Sequence, residues 1–468
     1  MFRHATIGIV KGFDDTLSGW ESDTPREKCG VFGVIGLEKD LGVTATYLAL
    51  VGLQHRGQDG AGIISYNSKT ASGMHGDGLV LEVFGEGKHL SGIPDGHIVI
   101  GHNRYSTNSG GAIQPIMRES FSIAHNGHIE ELAGEEHRTD TEVLAERIEA
   151  AMEHGENLPE AVKSTLGSVE GAYSLVIASN DELIGVRDPQ GLRPLCLGKK
   201  QNGQYCLASE DSVLSSIEFA FEREVKPGEM VVITEEGVES HRIGADEKEA
   251  RQATCAFEFI YFAMPDSNIE GSNVQIAREN MGKILSKNES EDFEADIVVG
   301  VPDSGMPAAM GYGRVSDVEY EQGALTKNRY ITRTFIKDNQ VDREKAVRLK
   351  QHVNTEITRG KRVVLIDDSI VRGTTTRALV TMMKEQGEAA EVHLRIASPP
   401  YKWPCFYGMD TGDPGGLIAN HKSLEEIREF VGADSLAYLS VEDVSKAIGV
   451  SLGKLCFACA NGEYPTKV

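Results

Sequence analysis

One string in the second half of the chain, RVVLIDDSIVRGTTTRA (residues 362–378), restricts the fold more than any other. Its apolar beginning predicts a buried strand, and Asp367 and Asp368 come where that strand ends. A glycine and three threonines then lead into a predicted helix: Gly373, Thr374, Thr375 and Thr376. The next strand is predicted in AEVHLRIASPP, and an earlier one in ADIVVGVPDSG. Strand, loop, helix and strand in this order are typical of a parallel sheet with crossover helices.

The turn after this strand has the chemistry of a phosphate site. Ligands of parallel α/β sheets bind at the carboxyl edge, and the N-terminus of a helix attracts anions. Asp367 and Asp368 would bind vicinal ribose hydroxyls, directly or through Mg²⁺, which prefers carboxylates together with substrate phosphate oxygens. The earlier VPDSG, with Ser304, is expected to supply a second loop that faces the same edge. The alternative is a plain strand-to-helix turn in which an aspartate caps the helix.

The segment KNRYITRTFIKDNQVDREKAVRLK (residues 327–350) is rich in Lys and Arg and has little periodicity. Such a segment suits a mobile flap that closes over a pyrophosphate and keeps water away from a reactive sugar cation. A solvated basic loop would explain the same composition.

A chain of 468 residues is too long for one ordinary core, so two domains are expected.

The formal net charge of −24 disfavours nucleic-acid binding, and seven cysteines in so long a chain do not make a secreted disulfide scaffold. No apolar run approaches the roughly 20 residues of a membrane-spanning helix, and residues 1–28 lack the long apolar core of a secretory signal. These features predict a cytoplasmic protein without nucleic-acid or membrane partners.

The first half alternates strand patterns with Gly-rich turns and a few amphipathic helices. SFSIAHNG, GAYSLVIAS, QYCLASE and EMVVITEEG predict strands, whereas TATYLALVGLQHRG and DTEVLAERIEAAMEHG predict helices. Packed sheets with helices outside are the expected architecture. The polar segment GADEKEARQAT is the expected linker, and it divides the chain into residues 29–248 and 249–468 after a leader of residues 1–28.

Cys29 lies in TPREKCGVFGVIG, directly before Gly30 and a predicted strand. One interpretation is a buried cysteine at the start of that strand. The other is that the chain is cut before Cys29, which leaves a thiol nucleophile that carries its own α-amine. The α-amine has a pKa of about 7.7–8.0, so it can act as a general base near neutral pH.

Four further motifs in the first half decide between these interpretations: LQHRGQDGAG, GHNRYST, IAHNGHI and HRTDTEVL. Each resembles a motif of the class II glutamine amidotransferases, whose N-terminal nucleophile fold is an αββα sandwich. The resemblance implies that Cys29 attacks the glutamine side-chain amide once residues 1–28 have been removed. It also implies an oxyanion hole at Asn126 and the N–H group of Gly127, with Arg104 on the glutamine carboxylate and Asp140 on its ammonium group.

The string around Asp367 resembles the 5-phosphoribosyl-1-pyrophosphate motif of type I phosphoribosyltransferases. Together the two halves resemble the amidophosphoribosyltransferase family from Cys29 to about Pro465. The resemblance implies that glutamine, phosphoribosyl pyrophosphate and water give 5-phosphoribosylamine, glutamate and pyrophosphate, the first committed step of de novo purine synthesis. Ammonia would pass inside the protein, and Mg²⁺ at Ser304, Asp367 and Asp368 would balance the leaving group. A homotetramer or homodimer inhibited by purine nucleotides is also implied.

Four of the cysteines stand in CAFEFIYFAMPDS, WPCFYGMD and LCFACANGEYPT: Cys255, Cys405, Cys456 and Cys459. Their contexts resemble the iron–sulfur subgroup of this family, which implies one 4Fe-4S cluster of structural or oxygen-sensing role. Tetrahedral zinc is the alternative. Cys196 and Cys206 are interpreted as packing thiols, and His55, His102 and His125 as hydrogen-bonded structural residues.

The sequence departs from the family pattern in a long leader, in Ile116 and in Met264, which replaces the usual Arg and is given no role. The segment between Asn126 and Asp140 is also shorter than in many relatives. The sequence speaks against two other functions. A glutamine-dependent aminosugar synthase has no phosphoribosyl motif, and a regulator that binds phosphoribosyl pyrophosphate has no glutaminase half.

Overall fold

The computed structural model describes eight stretches of the chain: residues 29–36, 41–67, 70–105, 112–132, 138–243, 251–328, 347–409 and 414–467. The predicted leader, most of the linker, most of the flap and part of the segment between Asn126 and Asp140 lie outside these residues.

Two antiparallel sheets packed face to face form the first half. In spatial order, the strands of the seven-stranded sheet are Ala220–Glu224, Cys196–Lys199, Tyr205–Ala208, Gly30–Ile35, Ile98–Arg104, Gly60–Tyr66 and Ala71–Asp77. Those of the six-stranded sheet are Gly237–Arg242, Glu229–Thr234, Leu183–Arg187, Ala172–Ala178, Ser122–His128 and Ile116–Met117. Apolar side chains such as Ile100 and Val176 fill the space between the sheets.

Helices cover the outer faces of both sheets. Gly42–Gly52 packs on the seven-stranded sheet, and Asp140–Glu153 and Leu158–Leu166 pack on the six-stranded sheet. The predicted αββα sandwich is therefore confirmed. The helix predicted in TATYLALVGLQHRG ends at Gly52, and residues 54–56 form a separate 3₁₀ turn because glycine is a poor helix former.

The second half is built on a five-stranded parallel sheet, as predicted. Its strands, in spatial order, are Glu319–Tyr320, Ile297–Gly300, Arg362–Asp367, Glu391–Ile396 and Ser435–Tyr438. Helices Val274–Lys287, Met306–Gly313 and Val441–Ile448 cover one face, and Thr374–Glu385 and Leu424–Val431 cover the other. In the central strand, Arg362–Asp367, alternate side chains pack into the apolar cores on opposite faces of the sheet. Val364 lies in one core and Leu365 in the other.

The end of the chain returns to the junction between the halves. Leu455–Cys456 pairs in parallel with Thr254–Cys255, so that Cys255 lies opposite Cys456. A π-helical turn, Glu258–Phe262, follows directly and packs against the first half. Among the described residues, no helix combines the length and the apolar character that crossing a bilayer requires.

Two helices of the second half touch through glycines. A Cβ atom at Gly282 would lie 1.7 Å from the carbonyl oxygen of Ala308, and one at Gly311 would lie 1.9 Å from that of Glu279. The helices Val274–Lys287 and Met306–Gly313 therefore approach each other with their backbones in direct contact.

Gly282→Ala is expected to push these helices apart and to lower stability by about 1–3 kcal/mol, the usual result of overpacking a core. Thermal unfolding followed by circular dichroism measures the change. Gly453→Ala is the matched control, because a Cβ atom there meets nothing within 4 Å. Equal midpoints for the two variants would contradict the described packing.

Candidate active sites

Cys29 immediately precedes the central strand Gly30–Ile35 and is partly exposed. The neighbouring strand ends at Arg104, and Asn103, the residue before it, lies opposite Gly30 in the ladder. Strand pairing therefore brings Cys29 and Arg104 to the same end of adjacent strands. This is the arrangement that the predicted glutaminase site requires.

Asn126 and Gly127 come from the facing sheet, on the strand Ser122–His128. The Asn126 side chain is fully buried, and neither its Oδ1 nor its Nδ2 atom has a hydrogen-bond partner among the described residues. Gly127 has φ +153°, and a Cβ atom there would lie 1.9 Å from the carbonyl oxygen of Ala172. A buried amide without a hydrogen-bond partner is rare in folded proteins. The Asn126 side chain is therefore suited to form hydrogen bonds with a substrate.

Asp140 begins the helix Asp140–Glu153, whose cap is Thr139. One carboxylate oxygen of Asp140 accepts the N–H of Ile129 at 3.0 Å, and the other accepts that of Thr141 at 2.7 Å. Burial alone would raise the pKa of Asp140, but nearby His125 and His128 and these N–H groups hold it below its usual value. Asp140 is therefore a carboxylate that an ammonium group can approach.

The histidines in the first-half motifs are hydrogen-bonded, as predicted. His55 Nε2 lies 2.7 Å from Glu210, and His102 Nε2 lies 3.2 Å from the carbonyl oxygen of His125. His125 Nδ1 lies 3.0 Å from Thr141 Oγ1. Burial lowers the pKa of His102 to about 3, which keeps its ring neutral.

In the second half, the predicted carboxylates lie at the end of the central strand. Asp367 is the last residue of Arg362–Asp367, and its Oδ1 atom accepts the N–H of Asp368 at 2.9 Å. The buried Asp368 accepts hydrogen bonds from the hydroxyls of Ser304 and Ser369. The loop after Ile297–Gly300 therefore does reach this edge of the sheet, as the sequence predicts.

Gly373 caps the next helix, Thr374–Glu385, with φ +80°, a conformation that favours glycine. The three predicted threonines form its first turn: Thr374, Thr375 and Thr376. The positive end of the helix dipole thus follows Asp367 and Asp368 by one short loop. An anion at the helix N-terminus and a cation at the two carboxylates would therefore be neighbours.

The four motif cysteines gather where the end of the chain meets the junction. Cys255 and Cys456 are paired residues, and electrostatic interactions link Cys255, Cys405 and Cys459 as well. The Tyr407 N–H group donates to the sulfur of Cys405 at 3.4 Å. Burial raises the pKa of Cys255 to about 11 and moves those of Cys456 and Cys459 well above the usual value. Because burial disfavours the charged form, these side chains could be thiolates only beside a positively charged group such as a metal ion.

Among the described residues, no group of three or more His, Cys, Asp or Glu side chains is arranged to hold a metal ion.

The sequence analysis missed the residues that connect the two halves. Arg56, in the motif LQHRG, is buried and donates to both carboxylate oxygens of Glu258 at 3.0 and 3.1 Å. Its Nε also contacts the carbonyl oxygen of Cys29 at 3.4 Å. Glu258 accepts a further bond from Arg193 at 3.1 Å. The available signal was a single glutamate inside the apolar string AFEFIYFA.

Met264 also takes part in the junction, but through its backbone. Its N–H donates to Glu210 at 2.9 Å, while its side chain is 37 % exposed.

The fold and these two sites define a glutamine amidotransferase joined to a phosphoribosyltransferase. Comparison with protein families agrees on both parts. Residues 102–216 match the glutamine amidotransferase domain family, and residues 271–397 match the phosphoribosyl transferase domain family.

The chain belongs to the amidophosphoribosyltransferase family. It is 43 % identical over 467 residues to the amidophosphoribosyltransferase of Bacillus subtilis, with 95 % of each chain covered, and 42 % identical to that of Methanocaldococcus jannaschii, with 94 % of this chain and 98 % of the relative covered. The solved structure of the B. subtilis glutamine phosphoribosylpyrophosphate amidotransferase, complexed with ADP and GMP, has a TM-score of 0.84 at 43 % identity and covers 94 % of this chain and 98 % of its own.

The activity is that of the family. The chain transfers nitrogen from glutamine to 5-phosphoribosyl 1-pyrophosphate, with glutamate and pyrophosphate as the other products, in the first committed step of purine synthesis.

Proposed function

We propose that the reaction is divided between the two sites described above. Cys29 is the nucleophile of the first site, and its thiolate attacks the side-chain amide of glutamine. The bond to nitrogen breaks, a thioester forms, and ammonia is released. The α-amine of Cys29 takes the thiol proton and passes it to the leaving nitrogen, and water then hydrolyses the thioester to glutamate and frees the thiol. This requires that residues 1–28 have been removed, because an amide nitrogen cannot act as a base.

The observation that carries this proposal is the buried Asn126 amide without a partner among the described residues. Its Nδ2 and the N–H of Gly127 are the donors for the oxyanion that forms when the thiolate attacks. Losing one such donor typically costs about 2.7–4 kcal/mol of transition-state stabilisation. Because the donors are fixed before substrate arrives, they need no reorganisation during the reaction.

Glutamine is held at its other end by Arg104 and Asp140. The guanidinium group of Arg104 matches the planar carboxylate of the substrate, and the ionised Asp140 matches its ammonium group. The low pKa of Asp140 supports this role, because a protonated carboxyl would lose the ion pair.

The second site takes phosphoribosyl pyrophosphate. The first turn of the helix Thr374–Glu385 binds the 5-phosphate with Gly373, Thr374, Thr375 and Thr376, and Asp367 and Asp368 hold the ribose. A bound Mg²⁺ would neutralise the leaving pyrophosphate, and it needs only one or two carboxylates besides substrate oxygens, which Asp367, Asp368 and Ser304 can offer. Ammonia from Cys29 reaches the ribose C1 inside the protein, and pyrophosphate leaves with inversion.

Three further features are proposed with this function. The domains are residues 29–248 and 249–468. By analogy with the B. subtilis structure, which contains ADP and GMP, purine nucleotides are proposed to regulate the chain. A homotetramer or homodimer and a cytoplasmic location stay predictions from the sequence.

Cys29→Ala is expected to lower glutamine-dependent synthesis of phosphoribosylamine by at least about a thousandfold, because the nucleophile is gone. Synthesis from added ammonium salt should remain, since that route begins at the second site. Both rates can be measured on the same preparation. Cys206→Ala is the control, because it removes a buried thiol on a nearby strand that has no proposed role. Loss of both activities in a folded Cys29→Ala protein would contradict the division into two sites.

We also propose that Cys255, Cys405, Cys456 and Cys459 bind one 4Fe-4S cluster. In such a cluster each thiolate binds a different iron, so the four sulfurs surround a volume, whereas the ligands of zinc all lie about 2.3 Å from one ion. Four thiols at one junction, with Cys255 opposite Cys456, match the all-thiolate ligation that is usual for such a cluster. A cluster would supply the positive charge that buried thiolates need, and its role is structural or oxygen-sensing.

Protein purified without oxygen is therefore expected to be brown and to contain about four iron atoms per chain. Metal analysis and the visible absorption spectrum measure this. Cys456→Ser should lose most of the iron, whereas Cys196→Ser should keep it. A colourless protein that contains zinc would contradict the cluster.

A further inference from the structure

Arg193 lies between the four cysteines and the glutaminase site, and it is fully buried. One terminal nitrogen donates to Glu258 at 3.1 Å and the other to the carbonyl oxygen of Tyr407 at 2.9 Å. The third guanidinium nitrogen, Nε, has no hydrogen-bond partner among the described residues. Burying an N–H group in this way is unfavourable unless an acceptor occupies the space beside it.

The surroundings of Arg193 show which acceptor is missing. The N–H of Cys255 donates to the carbonyl oxygen of Leu192, the residue before Arg193, at 3.2 Å. Tyr407, whose carbonyl oxygen accepts a bond from Arg193, donates its own N–H to the sulfur of Cys405 at 3.4 Å. The guanidinium group is therefore close to two of the four thiols. A protonated thiol is a weak acceptor, whereas the thiolates and sulfides of an iron–sulfur cluster accept hydrogen bonds from N–H groups.

Tyr401 gives a second, independent observation. Its side chain is buried, and its hydroxyl also lacks a partner among the described residues. Burial and the neighbouring Cys459, Cys405 and Cys255 raise the pKa of this hydroxyl. Two buried donors without acceptors thus border the same group of cysteines.

From Arg193 a continuous series of hydrogen bonds leads to Cys29. Glu258 binds Arg193 with one carboxylate oxygen and Arg56 with both. Arg56 in turn contacts the carbonyl oxygen of Cys29 through Nε at 3.4 Å. All three charged side chains in this series are at most 1 % exposed, so water does not screen their interactions.

We propose that Arg193 is a positioning residue that donates its Nε–H to a sulfur of the bound cluster and, through Glu258 and Arg56, fixes the backbone of Cys29. The inference rests on the proposed 4Fe-4S cluster. With the cluster bound, all three guanidinium nitrogens of Arg193 have an acceptor, and Arg193 holds Glu258 in place. Without the cluster, the Nε–H group has no acceptor, the hold on Glu258 weakens, and glutamine hydrolysis falls while the second site is unaffected.

The test compares Arg193→Lys, Tyr401→Phe and Arg395→Lys with the unchanged chain, all purified without oxygen. Lysine keeps the positive charge but lacks the Nε–H group of arginine, and phenylalanine keeps the ring but lacks the hydroxyl. Arg395 is the matched control, because it is also buried and also pairs with a glutamate, Glu289 at 2.8 Å, but its partners all lie within the second half. The measurements are iron content, the Fe–S stretching bands in resonance Raman spectra, and the glutamine- and ammonia-dependent rates.

Arg193→Lys is expected to shift the Fe–S bands to higher frequency, because a hydrogen bond that weakens the Fe–S bond has been removed. It should also lower glutamine-dependent kcat/KM about tenfold or more, as loss of an outer-shell partner does, with the ammonia-dependent rate unchanged. Tyr401→Phe should shift the bands but keep both rates, because the lost hydroxyl makes no hydrogen bond to Glu258. Arg395→Lys should change neither the bands nor the ratio of the two rates.

Unshifted bands in an iron-loaded Arg193→Lys protein would overturn the inference, and so would a glutamine-dependent rate equal to that of the unchanged chain. If Arg193→Lys fails to retain iron, Glu258→Gln is used for the same test. This variant keeps Arg193 but weakens its hydrogen bond to residue 258. Shifted bands and a lower glutamine-dependent rate are then expected, and unchanged values of either would contradict the inference. An unchanged chain without iron would instead refute the cluster itself.

Discussion

The bond between Arg56 and Glu258 is the interaction on which the rest of the structure depends. It joins a motif of the first half to the first turn of the second half, and both side chains are almost completely shielded from water. Removing one partner of such a buried pair typically costs about 3–5 kcal/mol, because the other charge is left uncompensated. Glu210 completes the arrangement, since His55 and Arg56 together outweigh its burial and keep its pKa low.

This interaction ties the geometry of one site to the position of the other half. Arg56 contacts the backbone of Cys29 on one side, and Glu258 begins the turn that follows Cys255 on the other. The chain terminus returns to the same place, where Leu455–Cys456 pairs with Thr254–Cys255. A local change among the cysteines can therefore reach Cys29 through side chains that have no room to move independently.

Much of this architecture could be predicted from the sequence. Runs such as RVVLIDD and GAYSLVIAS have the length and composition of buried strands, and the acidic pair at a strand end indicates the ligand edge of a parallel sheet. The family resemblance supplied the roles of Cys29 and Asn126, which spacing alone does not contain.

The junction could not be predicted in the same way. Arg56 and Glu258 are 202 positions apart, and one charged residue in an apolar string carries no information about its partner. Within the described part of the chain, the Asn126 amide, the Nε of Arg193 and the Tyr401 hydroxyl have no hydrogen-bond partner, and this too is visible only in three dimensions, because it depends on what surrounds each atom. The sequence indicates which groups can react, whereas packing determines which of them are left unsatisfied and ready for a ligand.

The central claim is that nitrogen released at Cys29 is used in the other half without leaving the protein. The most direct measurement supplies glutamine labelled with ¹⁵N in its side-chain amide, together with an excess of unlabelled ammonium salt at a pH where free ammonia reacts slowly. The account predicts that phosphoribosylamine carries the label. Dilution of the label in proportion to the added ammonium would show that ammonia escapes into solvent, and it would contradict the account.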